Sequence, residues 1–150
     1  MGLDMYLTGK RYIWENSDKP EEQALADALN TMPTLGNRGR RVKGVEVEGM
    51  YWRKANAIHK WFVDNVQDGE DECREHYVSR EQLTELRDAC IEAMADPDNA
   101  MDYLPTTCGF FFGSTDIDEW YFQGLRDTID GLNGCLEMDK AWSFYYCSSW

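Results

Sequence analysis

The sequence predicts a single α+β domain, with helices packed on one small sheet that is mostly antiparallel or mixed. Three observations carry this reading. Alternating apolar residues recur near both ends of the chain and before its middle, amphipathic helical stretches with cap signals separate them, and regular βαβ spacing is absent. A chain of 150 residues with 43% hydrophobic and 13% aromatic residues suits one domain with its own core. No repeat, linker or low-complexity tract divides residues 1–150. The expected order is β-α-β-α-α-β-α-β, with strands near 3–7, 42–50, 107–112 and 143–149.

Leu3, Met5 and Leu7 alternate with Asp4 and Tyr6, which predicts a first strand with one buried face. Lys10 to Trp14 can continue it. Ser17 or Asp18 with Pro20 opens a helix whose inner side is Leu25, Ala28, Leu29 and Met32, and Pro33 stops it. Thr34 to Arg41 is a Gly- and Arg-rich loop without P-loop spacing, suited either to a phosphate or to a solvated connection. Val45 and Val47 alternate with Glu46 and Glu48 in a second strand.

Tyr51–Val66 is expected as the central, largely buried helix. Tyr51, Ala55, Ile58, Phe62 and Val66 share one stripe, widened by Trp52 and Val63, while Arg53, Lys60 and Asp64 lie opposite. His59 falls inside the stripe and Asn56 at its border. They read either as a satisfied core histidine, held by Asn56 or a backbone carbonyl, or with Trp52 as the lining of a pocket.

The acidic run after it fails as a calcium loop because Val66 occupies a ligand position, so residues 68–75 read as a solvated loop. Ser79 and Gln82 form a capping box for a helix lined by Leu83, Leu86, Cys90 and Ala93, which ends at Asp96-Pro97-Asp98. Thr106 to Phe112 reads as a third strand. Thr115 then caps a long helix, with Asp118 in the box position and Ile117, Trp120, Tyr121, Leu125, Thr128, Leu132, Cys135 and Leu136 inward. The Gly-Ser-Thr junction has the form of an anion site, but its nearby carboxylates favour capping. Trp142 to Trp150 is the final strand.

Four blocks carry a resemblance spanning almost the whole chain: Met1–Leu7 (MGLDMYL), Tyr51–Val63 (YWRKANAIHKWFV), Gly109–Thr115 (GFFFGST) and the terminal Ser148-Ser149-Trp150. In them the chain resembles a family of small phage-encoded and bacterial proteins. The resemblance implies a cytosolic accessory protein of the kind phages use against host defence. It carries over no catalytic residues.

Five cysteines, scattered without a C-x-x-C pair, read as reduced thiols in a cytoplasmic protein, with Cys90 and Cys135 as core fillers. Their spacing gives no zinc site, and no metal or cofactor is expected. No apolar run approaches the ~18 residues of a membrane span. A net charge of −13 argues against nucleic acid as a partner.

The charge is unevenly spread. Arg38 to Lys60 holds seven cations against Glu46 and Glu48, a net of +5, which leaves −18 for the remainder. This island either neutralises acidic helices or receives a compact anion. The expected ligand is small, anionic and nucleotide-like, sequestered as a host-defence signal. Its expected site is Arg38, Arg40, Arg41, Trp52, Arg53, Asn56, His59 and Lys60, with the Arg loop and the helix flank facing one cleft. Two alternatives stand beside it: an acidic inhibitor that mimics nucleic acid toward a host factor, and an enzyme with His59 as general base. No catalytic signature points to the latter, and the sequence admits a homo-oligomer.

Overall fold

Strand β1, Asp4–Tyr12, is the organising strand, with a long antiparallel partner on each side. The computed structural model describes residues 2–32 and 40–150. Helix α1 (Pro20–Thr31) follows, then β2 (Gly44–Arg53), α2 (Asn56–Val66), β3 (His76–Val78), α3 (Arg80–Ala95), a 3-10 turn with the short α4 (Ala100–Tyr103), α5 (Glu119–Glu137) and β4 (Trp142–Ser149). The strands form an antiparallel sheet in the order β2-β1-β4-β3. The α+β class and the helix-covered sheet are as the sequence predicts.

Period-two alternation decides which face is buried. Met5 and Leu7 of β1 and Phe144 and Tyr146 of β4 point inward and are at most 1% exposed. Ile58 and Phe62 of α2, Leu83 and Leu86 of α3, and Leu125 and Leu132 of α5 close over them. The Phe62 ring stacks on Tyr146 at 3.9 Å and 9°. Each such side chain contributes about 1.5–3 kcal/mol through burial. Cys90 and Cys135 fill the core as expected, and every cysteine is free.

The structure corrects several elements. The central helix starts at Asn56, because Tyr51 and Trp52 pair with Tyr6 and Met5 and continue β2 in extended form. Lys54, at φ 57°, turns the chain between them. Residues 107–112 are not a strand. Their backbone groups are used by the Asn56 side chain and by a Phe112 N–H to Gly109 carbonyl turn. His76–Val78 takes the open edge of β4.

The long helix is capped by Asp118, which accepts from Tyr121 N–H, and not by Thr115. Trp120 is 83% exposed, although an inward place was expected. With Tyr121, Leu125, Thr128 and Leu132 setting the inner stripe, a residue one step before Tyr121 is rotated out by about 100°. The capping box of Ser79 and Gln82 forms as predicted. Pro33, residues 34–39 of the Gly-Arg loop and therefore Arg38 lie outside the described residues. Among those described, no helix is long and apolar enough to cross a membrane.

Candidate functional site

Where β2 ends and α2 begins, the chain turns at Lys54 and opens a cleft of about 510 Å³ against the start of α5. Lys54 in its left-handed turn donates its N–H to the Leu3 carbonyl at 2.8 Å and packs on Gly113, itself at φ 87°. A Cβ at 113 would sit 3.0 Å from the Lys54 Cβ, so both the backbone angle and the contact require glycine there.

One wall of the cleft is cationic. Arg53 and Lys54 line it and form no ion pair among the described residues. The first turn of α2 stands beside them, and its N-cap, Ala55, has no side chain to accept from it. Asp116, Asp118 and Asp127 line the opposite wall. Each already accepts from a neutral donor: Asp116 from the Ser114 hydroxyl, Asp118 from Tyr121 N–H, and Asp127 from the Gln123 amide. The exposed indole of Trp120 completes the cleft.

Asn56, 3% exposed, sits at the base as a clamp. Its amide nitrogen donates to the carbonyls of Ser114 (2.7 Å) and Phe112 (3.1 Å), and its oxygen accepts from Thr107 N–H (3.2 Å). One side chain therefore fixes the loop that forms the far rim.

The other expected site residues lie elsewhere. Trp52 is 4% exposed, meets Phe62 edge-on at 5.8 Å, and donates its indole N–H to the Thr128 hydroxyl at 2.9 Å. His59 is 1% exposed. Its Nδ1 bonds to the Tyr146 hydroxyl (2.7 Å) and its Nε2 to Asp71 Oδ2 (3.1 Å), in place of the expected Asn56 or backbone partner. Asp71 Oδ1 accepts from the Trp150 indole, so the acidic loop is tied to the core at this point. Burial pushes the Tyr146 hydroxyl well above the usual tyrosine range.

Lys60 pairs with Asp64 along α2 and does not line the cleft. Arg40 and Arg41 border a separate depression with Glu15, Asn16 and Asp27, where Arg41 meets Tyr12 and Glu15. Ten residues of extended β2 separate that end from Arg53, roughly 30 Å at ~3.3 Å per residue. Arg40 and Arg41 therefore do not share a cleft with Arg53, the strand lying between them.

Of the expected residues the cleft collects Arg53 and Asn56. Lys54, Trp120 and the three carboxylates were missed, although the Gly-Ser-Thr junction was a signal for them. No metal-competent group of three His, Cys, Asp or Glu occurs among the described residues. Comparisons with protein-family models, with curated proteins and with solved structures give no match.

Proposed function

We propose that this cleft binds and sequesters a small anionic, ring-containing ligand of nucleotide type. The observation that carries the reading is the pairing of Arg53 and Lys54, which form no ion pair among the described residues, with the open Trp120 indole in one cleft of about 510 Å³. That size lies within the usual range of about 300–1,000 Å³ for small-molecule sites. Phosphate is suited to Arg53, Lys54 and the start of α2. A base is suited to the indole face, with its N–H edge toward the carboxylate wall. Trp120 thus replaces Trp52 as the stacking residue, and Asn56 supports the site by holding its rim. The family resemblance adds the setting, a phage accessory protein that removes a host-defence signal in the host cytoplasm.

Calorimetric titration of a nucleotide panel tests this. At least one nucleotide should bind the wild type, and Arg53→Ala and Trp120→Ala should each weaken it at least tenfold, about 1.4 kcal/mol. Arg41→Ala, at the far end of β2, should bind as the wild type does. Heat from no nucleotide, or equal affinity in all three variants, refutes the reading.

His59 gains no support as a general base. Such a base must reach a substrate proton, and this ring is buried with both nitrogens occupied. The acidic-inhibitor reading keeps a specific observation in its favour, a sheet face rich in tyrosine and carboxylate that the core helices leave exposed among the described residues.

A further inference from the structure

Among the described residues, the helices of the core cover one side of the sheet. Helices α2, α3 and α5 pack over its inner face. On the other face the register sets Tyr6 beside Tyr51 and Tyr77 beside Tyr145, with ring centroids 5.4 and 5.8 Å apart. Tyr6, Tyr51 and Tyr77 are 38%, 42% and 60% exposed.

The charges among these rings are mainly acidic. Asp4, Glu46 and Glu48 alternate outward along β1 and β2, Glu75 reaches the same face through Lys10, and against these four carboxylates the register also sets Arg53 outward, opposite Asp4. Lys10 shows what the face accepts. Its ammonium lies 4.9 Å from the centroid of the Tyr145 ring, 2.7 Å from Glu75 and 3.5 Å from Glu46. A cation is therefore held over a tyrosine between two carboxylates. Tyr6 and Tyr51 stand between the Asp4–Arg53 row and the Thr8–Glu48 row; the Tyr51 hydroxyl donates to Asp4, Glu48 forms no ion pair among the described residues, and among them no cation lies over either ring.

We propose that the uncovered sheet face docks an arginine-bearing surface of a basic protein, with guanidinium groups stacked on Tyr6 and Tyr51 and paired to the flanking carboxylates. Arginine fits better than lysine, because its planar group stacks on a ring while its N–H groups fork onto carboxylate oxygens. Single-stranded nucleic acid also stacks on aromatic sheets, but its phosphates would meet four carboxylates on a protein of net charge −13. A second copy would set the same acidic face against itself. This surface adjoins the cleft at Arg53, opposite Asp4, but the two readings are tested on different variants, Tyr6, Tyr51 and Glu48 here against Arg53 and Trp120 there.

The test uses the full chain with fluorescent octa-arginine, octalysine and octathymidylate at physiological salt. Octa-arginine should bind more tightly than octalysine, and octathymidylate should not bind. Tyr6→Thr/Tyr51→Thr keeps strand propensity and charge, and should lower octa-arginine affinity about tenfold and erase the preference over octalysine. Glu48→Gln should weaken it several-fold. Asp68→Asn/Glu70→Gln, an equal or larger charge change on the remote loop, should stay within twofold. Equal losses in the loop and face variants would show diffuse charge attraction and overturn the proposal. So would wild-type affinity in the tyrosine variant, or binding of octathymidylate. Amide chemical-shift changes in the wild type, read without any substitution, should fall on β1, β2 and β4. Changes scattered over the helices would overturn the proposal even if the tyrosine variant melts early.

Discussion

Replacing Asn56 by alanine should destabilise the protein by about 2–4 kcal/mol, since three hydrogen bonds are lost at a net ~0.5–1.5 kcal/mol each. The groups left behind are the carbonyls of Phe112 and Ser114 and the N–H of Thr107. They adjoin the cleft, so water can reach some of them and the lower half of the range is expected. For a domain of this length that corresponds to a fall of roughly 5–10 °C in Tm, at ~2–4 °C per kcal/mol.

Asn56→Asp sharpens the test. The carboxylate keeps the acceptor for Thr107 N–H but faces two carbonyl oxygens with no donor, so at pH 7 it should be at least as damaging as alanine. Protonation restores one donor, and its folded-state pKa is thereby raised above the ordinary aspartate value. The aspartate variant should accordingly recover relative to alanine at pH 4 and lose that gain as pH rises. Urea unfolding at both pH values, with thermal melts alongside, measures this. An alanine variant within about 0.5 kcal/mol of wild type, the usual scatter of inconsequential surface changes, refutes the clamp. So does an aspartate variant more stable than alanine at pH 7. A real clamp also means that loss of ligand binding in Asn56→Ala reports a collapsed rim, which is why Arg53 and Trp120 are the diagnostic positions for binding.

Two further predictions concern stability alone. A Cβ at Gly134 meets nothing within 4 Å, so Gly134→Ala should stabilise α5 by about 0.5–1 kcal/mol. On the same helix a Cβ at Gly131 would lie 2.0 Å from the Met50 sulfur against β2, so Gly131→Ala should destabilise by about 1–3 kcal/mol; comparing their urea midpoints checks both. In alkali, burial pushes the Cys90 thiol up to about 12 from an ordinary 9.0, and burial with the nearby Cys90 pushes the Tyr121 hydroxyl up to about 12 from 10.0. Both groups are stabilised in the neutral form, so their contribution is complete below about pH 9 and is lost as pH rises toward 12. The urea midpoint should fall between pH 8 and pH 11, and less steeply in Cys90→Ala; a flat profile would contradict this.

Local pattern was enough for the parts of the fold that local physics controls. The alternation of Leu3, Met5 and Leu7, the capping box at Ser79 and Gln82, and the stripe from Leu125 to Cys135 each carry their own period or hydrogen bond, and each forms as the sequence implies. The place of His59 on the apolar stripe allowed a core histidine or a pocket wall, and the structure buries it. Its partners were not legible, because Tyr146 and Asp71 are brought to it by β4 and by a loop that carries no periodic signal.

The ambiguous stretches were those whose residues suit two periods at once. Tyr51 and Trp52 fit a helical stripe and a strand equally well, and pairing with Tyr6 and Met5 decided for the strand. Thr106 to Phe112 has strand composition, but the Asn56 side chain, and no neighbouring strand, partners its Thr107 N–H and Phe112 carbonyl. The candidate site was the least legible of all. The sequence indicated a basic island, but only the length of β2 could place Arg41 far from Arg53. The cleft itself exists because Lys54 and Gly113, fifty-nine positions apart, each adopt a left-handed backbone and pack against one another. Contacts between residues so distant in the chain leave no trace in local periodicity, so the tertiary structure alone decided where the cations, the carboxylates and Trp120 meet.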